Sequence, residues 1–226
     1  MRKLIFLWCF TALGCSYFDD MPPVQMDDSI TLNETVLELD YEEAFQLTAS
    51  FKREGYSESE LVWESDMEEI ASVSEAGLVT GERIGTALVT VQTKDGEYSS
   101  TCEVKVNATN FLYEEPLVDF GKAKSFILEN ESRKLLVNRT NYLLYDGESD
   151  TTINVIYNFA NSTYQESVVL LKEEDNISDK AFEFLEQRYE YRGHTDGMHV
   201  FANEEILVEM EDEEENNISV VYVQNE

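Results

Sequence analysis

Gly85-Thr86-Ala87-Leu88-Val89-Thr90-Val91 is followed by Asp95-Gly96 and then by Cys102-Glu103-Val104-Lys105-Val106. Apolar side chains alternate on either side of an Asp-Gly dipeptide, the pattern of two half-buried strands joined by a tight turn. Ala87, Val89 and Val91 on one run, and Cys102, Val104 and Val106 on the other, share a core-facing side. Working outward, Leu37 and Leu39, then Phe45, Leu47 and Ala49, then Leu61 and Trp63 repeat the alternation. Gly77, Gly81, Gly85 and Gly96 punctuate these runs. Short strands at regular spacing, with no sustained helical period, predict an antiparallel all-β sandwich from Ile30 to Val106. Cys102 lies on the apolar side and is predicted to be a small core residue, not a nucleophile.

The chain has 226 residues, 42% of them apolar and 12% aromatic, which is material for one large domain or two small ones. Acidic residues number 47 against 16 basic ones, a net charge of -31. Such a chain repels phosphate backbones, so no nucleic-acid partner is expected. Two histidines and three cysteines are too few for a multi-histidine metal site, a four-cysteine zinc site or a disulfide framework. No cofactor is expected.

Five motifs carry a family resemblance: Phe45-Gln46-Leu47-Thr48-Ala49, Val62-Trp63-Glu64-Ser65-Asp66, Ile70-Ala71-Ser72-Val73-Ser74, Gly77-Leu78-Val79-Thr80-Gly81 and Gly85 to Val91. Together they resemble a group 2 bacterial Ig-like domain over residues 28–106. The resemblance implies that Trp63 is the buried core tryptophan. It also implies a spacer of the kind found in adhesins and surface proteins, and it transfers no catalytic residue.

At the start of the chain, Arg2-Lys3 precedes an apolar run from Leu4 to Leu13. The run is too short to cross a bilayer core and reads as a secretory signal. Ala12-Leu13-Gly14-Cys15 resembles a bacterial lipobox, which implies acylation of Cys15 and membrane attachment through that lipid; ordinary secretory cleavage at the same bond is the alternative. Residues 1–14 are then the signal and 15–27 an acidic tether. The acidic stretch after Cys15 resembles the surface-export signals of Bacteroidetes lipoproteins. The expected location is the bacterial outer membrane, at the cell surface or on the periplasmic face.

From residue 107 to 226 the pattern becomes mixed. Ala123, Phe126 and Ile127 share a helical face, followed by strand runs at Leu135 and Val137, Tyr142 and Leu144, Val155 to Phe159, and Val168 to Leu171. Ser178-Asp179 opens a second predicted helix bearing Ala181, Phe182, Leu185 and Tyr189, and three strands follow at Met198 to Val200, Ile206 to Met210 and Ile218 to Tyr222. The predicted class is an all-β Ig-like sandwich followed by an α+β domain of two helix-plus-antiparallel-meander units. The order resembles the helix-plus-four-strand repeats of β-lactamase-inhibitor-like folds and the C-terminal domains of Bacteroidetes lipoproteins; neither resemblance implies a reaction.

Little in the sequence carries chemistry. There is no G-x-S-x-G, and His194 and His199 lie five apart, which suits neither a helical metal pair nor alternate positions of one strand. No catalytic residue and no metal ligand is assigned. The run from Glu209 to Glu215 reads as a solvated hairpin tip, where calcium could collect but no EF-hand pattern is present. Tyr145, Tyr164 and Tyr191 border predicted turns and are the candidate exposed binding residues, while Tyr157 and Tyr189 read as core. Asp28-Ser29-Ile30 and Asp150-Thr151-Thr152 resemble the Bacteroidetes O-glycosylation acceptor. The function expected is a non-catalytic binding or adhesion module with a glycan or protein ligand. A structural subunit of an envelope complex and an inhibitor of an extracellular enzyme are the alternatives.

Overall fold

A computed structural model describes residues 30–51, 61–147, 149–211 and 217–225. The segments expected to be signal and tether, with Cys15, therefore lie outside the described residues. In chain order the first strands are β1 (Ile30–Leu32), β2 (Val36–Asp40), β3 (Ala44–Gln46), β4 (Ala49–Phe51), β5 (Leu61–Ser65), β6 (Ala71–Val73), β7 (Leu78–Gly81), β8 (Gly85–Thr93) and β9 (Ser99–Asn107). One sheet runs β2-β9-β8-β5, a second runs β3-β7-β6, and β1 pairs with β4. The β8–β9 hairpin turns at Asp95-Gly96, where Gly96 has φ +71°. The Asp95 carboxylate accepts from Thr93 Oγ1 at 2.6 Å and from Glu97 N at 3.0 Å, which fixes the register.

That register sets the core. Leu37 sits opposite Val104 and Leu39 opposite Val106, while Ala87 faces Val104 and Val89 faces Cys102. All seven are buried, together with Val79 of the facing sheet and Leu47 just after β3. Each buried valine or leucine among them contributes roughly 1.5–3 kcal/mol. A one-residue slip would turn the whole set to solvent. Trp63 packs against this core but is only partly buried. A Cβ on Gly77 would come within 2.8 Å of its ring and of the Leu47 carbonyl, so a glycine at φ +80° is what lets the indole close down. Cys102 is fully buried, and burial pushes its thiol up to about 11, as suits a packing residue.

The rest of the chain forms α1 (Lys124–Asn130), β10 (Leu135–Asn138), β11 (Tyr142–Asp146), β12 (Thr152–Ala160), β13 (Thr163–Leu171), α2 (Ile177–Glu186), β14 (Glu190–Thr195), β15 (Met198–Ala202), β16 (Ile206–Glu211) and β17 (Ser219–Gln224). The eight strands make one sheet in the order β10-β11-β12-β13-β17-β16-β15-β14. Two antiparallel sets of four thus meet at the β13–β17 pair. Both helices are short, so their stability comes from packing and not from propensity. Ile127 of α1 and Ile177, Ala181, Phe184 and Leu185 of α2 bury into one side of the sheet.

Three details differ from the sequence reading, the first being that β2 joins β9 in parallel where an antiparallel sandwich was expected. The second helix starts at Ile177 behind Asn176, which has left-handed backbone geometry and makes no side-chain cap bond; Ser178-Asp179 is inside the first turn. The strands after it number four, not three. β14 is an edge strand whose residues are almost all exposed and which carries a bulge at Arg192, so no apolar alternation marks it.

Candidate functional site

The eight-stranded sheet has two unlike sides. Toward the helices it presents Leu143, Tyr145, Val155, Tyr157, Phe159, Tyr164, Val169, Tyr222, Val208 and Phe201, all buried in one cluster. The segment after β9 lies against this side and is held by tyrosine hydroxyls. Tyr164 donates to the Leu117 carbonyl at 2.6 Å, and Leu117 N donates to the Tyr157 hydroxyl at 3.0 Å. The Tyr157 hydroxyl also donates to the Glu131 carboxylate, which pairs with buried Arg133 at 2.8 Å. Tyr189 donates to Glu115 Oε1 at 2.7 Å, and the Tyr113 and Tyr222 hydroxyls are 2.6 Å apart. Burial drives the phenols of Tyr113, Tyr157, Tyr164, Tyr189 and Tyr222 well above their ordinary range. These groups are spent on holding the fold.

This corrects two of the expected binding residues. Tyr145 is 2% exposed and Tyr164 is fully buried, so neither can meet a ligand at the surface. For Tyr145 the cause is phase: β11 buries Leu143 and Tyr145, not Tyr142 and Leu144. For Tyr164 the cause is strand length: β13 begins at Thr163, placing Tyr164 inside a strand instead of in a turn. Tyr157 and Tyr189 are core, as expected. Tyr191 is 37% exposed. It stands on the edge strand, its ring 5.0 Å from Phe182 and its hydroxyl 3.1 Å from His199 Nδ1.

The opposite side of the sheet is aliphatic. Leu144, Ile156, Val168 and Val221 stand in register across four strands, followed by Glu209 and Val200. The flanking row is Tyr142, Asn158, Glu166, Val223 and Leu207. These residues are partly open to solvent, and none belongs to a hydrophobic core cluster. Carboxylates of Glu166 and Glu209 sit among them, and Glu211 accepts from Ser219 Oγ at 2.5 Å. A mainly apolar sheet face with carboxylates interspersed is an arrangement suited to a flat complementary surface. Sequence reasoning missed it because half-open β-branched residues read as ordinary core.

Other expected features resolve as follows. Residues 212–215 of the acidic run lie outside the described residues, and among the described residues no group of three or more metal-ligating side chains converges. A shallow depression beside β11 is lined by Asp146, Ser149, Asp150 and Lys172. The Lys172 ammonium there donates to the carbonyls of Ser149 and Asp150 at 3.3 and 2.8 Å. In the Asp150-Thr151-Thr152 triplet, Thr151 is partly exposed with its Oγ1 donating to the Leu112 carbonyl at 2.8 Å, and Thr152 is buried. Asp28 and Ser29 lie outside the described residues.

No curated protein matches the chain. Among solved structures, a bacterial Ig-like domain-containing GH10 xylanase from termite gut is 19% identical at a TM-score of 0.27, over 44% of this chain and 23% of that one. This chain thus spans under a quarter of the xylanase's length. Domains 5–6 of the S-layer protein SbsC are 17% identical at 0.30, over 88% of this chain and 84% of that one. The mixed-linkage glucan utilization locus protein SGBP-B of Bacteroides ovatus, in complex with a heptasaccharide, is 12% identical at 0.27, over 88% of this chain and 62% of that one. The family model described as "Bacterial Ig-like domain (group 2)" matches residues 28–104, in agreement with the two packed sheets and the glycine-fitted tryptophan: this part of the chain is a group 2 bacterial Ig-like domain.

Proposed function

We propose that this chain is a lipid-anchored, non-catalytic envelope protein in which the Ig-like sandwich of residues 28–106 acts as a spacer and residues 107–226 form an α+β head that docks a protein partner. The observation that carries this reading is the row Leu144, Ile156, Val168, Val221, Glu209 and Val200, in register, aliphatic but for Glu209, and outside every core cluster. Its chemistry favours protein over sugar. Sugar rings stack on exposed aromatic faces, and this sheet turns most of its aromatics inward. The charge of -31 favours a basic or neutral partner surface and disfavours self-association. Cys15, at the lipobox-like Ala12-Leu13-Gly14-Cys15, supplies the anchor.

The test is site-specific photo-crosslinking in intact cells, with the photoreactive residue at Val168, at Val221 and, as control, at exposed Asn138. A discrete protein adduct from Val168 and Val221 but not from Asn138 supports the docking face. Equal adducts at all three positions, or retention of the chain on a polysaccharide gel with no adduct, overturns it. An envelope subunit in the adduct would mark an assembly role, and a hydrolase would mark an inhibitor. Mass spectrometry of the mature N-terminus tests the anchor: an unmodified Cys15 would replace lipidation by simple secretion.

A further inference from the structure

The chain contains two histidines, and the fold sets them opposite each other. A separation of five residues argues against a shared metal only while both lie on one element. Here β14 and β15 are joined by a turn through Asp196 and Gly197, with φ of 52° and 79°, and His194 becomes the direct register partner of His199. Side chains directly opposite on an antiparallel pair leave the same side of the ribbon with Cβ atoms about 4.5–5.5 Å apart. The imidazole centroids are 4.7 Å apart, with ring planes at 55°.

We propose that His194 and His199 form a two-imidazole binding site for a divalent late transition metal, Cu2+ or Ni2+ ahead of Zn2+. Imidazole is a natural ligand for these ions, and copper heads the affinity order. The spacing suits them. With metal–nitrogen bonds of about 2.0–2.1 Å and each nitrogen about 1.1 Å from its ring centre, rings aimed at one ion and separated as here subtend about 95° at the metal. That angle fits the tetragonal geometry of Cu2+ and Ni2+ better than the tetrahedral geometry of zinc.

The surroundings hold one ligand and leave the other accessible. The His199 ring stands 5.1 Å from Phe182 at 82°, edge against face. The Tyr191 hydroxyl lies 3.1 Å from His199 Nδ1. Accepting the Nδ1 proton, Tyr191 acts as a positioning residue that leaves Nε2 to ligate. His194 is exposed on the edge strand, so an ion arrives from solvent and completes its coordination with water. The acidic chain raises the cation concentration around it. Its carboxylates prefer hard ions, so added calcium separates the two kinds of binding.

The experiment is calorimetric titration of the full chain with nickel or copper chloride in excess calcium chloride, paired with electron paramagnetic resonance of the copper form. The expected result is one ion per chain with imidazole nitrogen couplings. His194→Ala and His199→Ala should each weaken binding by at least about tenfold. Because His194 is exposed, its variant keeps the thermal melt of the parent and isolates the ligand from the fold. Tyr191→Phe, which retains the ring and removes the hydroxyl, should alter the copper spectrum without moving the melt; an unaltered spectrum removes Tyr191 from the site. No calcium-resistant binding, or an isotherm unchanged in His194→Ala, overturns the proposal. The docking face plays no part in this site, so either reading can fail alone.

Discussion

The sandwich of residues 30–107 and the eight-stranded sheet solve the same problem differently. In the sandwich two sheets bury one another, so the inward side chains can be small and interchangeable: Ala87, Val89, Cys102, Val104 and Val106. The large sheet is covered on one side by two short helices and an extended segment. That cover brings Tyr113, Ile127, Ile177, Phe184 and Leu185 against the sheet's own aromatic side chains, and the hydroxyls of Tyr157 and Tyr164 bind the segment's backbone. The opposite side stays aliphatic and partly open. The first region is closed by its two sheets, whereas the second puts most of its tyrosines on the covered side and keeps the other side partly open.

Removing the aromatic fill should have the largest effect. Phe184 is fully buried, its ring 4.2 Å from that of Tyr113, with the Arg188 guanidinium 3.5 Å from its centroid. Phe184→Ala is expected to cost about 3–5 kcal/mol and to lower the melting of the large sheet while leaving the sandwich transition in place in a calorimetric scan. A single transition moving as a whole would mean that the two regions fold as one unit.

Alkali should separate the regions next. Tyr113, Tyr157, Tyr164, Tyr189 and Tyr222 hold phenols raised by burial. A raised folded-state value means that the folded state keeps its protons when the unfolded chain begins to lose them. This stabilisation is complete below the ordinary phenol value of about 10 and is lost as pH rises above it. The sandwich holds two such groups, the Cys102 thiol raised to about 11 and the Tyr41 phenol raised by burial, against five phenols in the large sheet's core. In circular dichroism between pH 9 and 12, the near-ultraviolet tyrosine signal of the large sheet is expected to collapse before the tryptophan signal of Trp63.

Two neighbouring residues test the sidedness of the sheet directly. Val169 is fully buried on the helix side, and Val168 stands on the open side. Val169→Thr places a hydroxyl among apolar neighbours and should cost about 1–3 kcal/mol. Val168→Thr should stay within about 0.5 kcal/mol and instead reduce crosslinking to the partner. Equal thermal losses from both would mean that the open side is covered.

A modest effect is expected at the junction. Gln187 is fully buried; its side-chain oxygen accepts from Thr109 N and Asn110 N at 2.9 and 3.2 Å, and its carbonyl accepts from Ile84 N at 2.8 Å. Gln187→Ala removes the side-chain bonds and keeps the carbonyl one. A loss of about 1 kcal/mol is expected, read as faster amide exchange at Thr109 and Asn110 with Ile84 unchanged.

Much of this was legible beforehand, and the failures have physical causes. Strands with strict alternation and small turn residues, such as those at Ala87 to Val91 and Cys102 to Val106, could be read with their register because each side chain has one apolar side to choose. Tyr142-Leu143-Leu144-Tyr145 could not, since every residue in it is apolar or aromatic and either phase satisfies the pattern. The edge strand at Glu190 to Thr195 left no trace because an exposed, bulged strand has no apolar face to advertise.

The charge, the small number of histidines and cysteines and the strand pattern of the sandwich were legible in the sequence, because they depend on composition or on neighbours within one strand. Only the tertiary structure decided which tyrosines are buried, which side of the eight-stranded sheet stays open and which histidine meets which. These are relations between residues on different strands, set by register and by what covers each face, and no spacing along one strand encodes them.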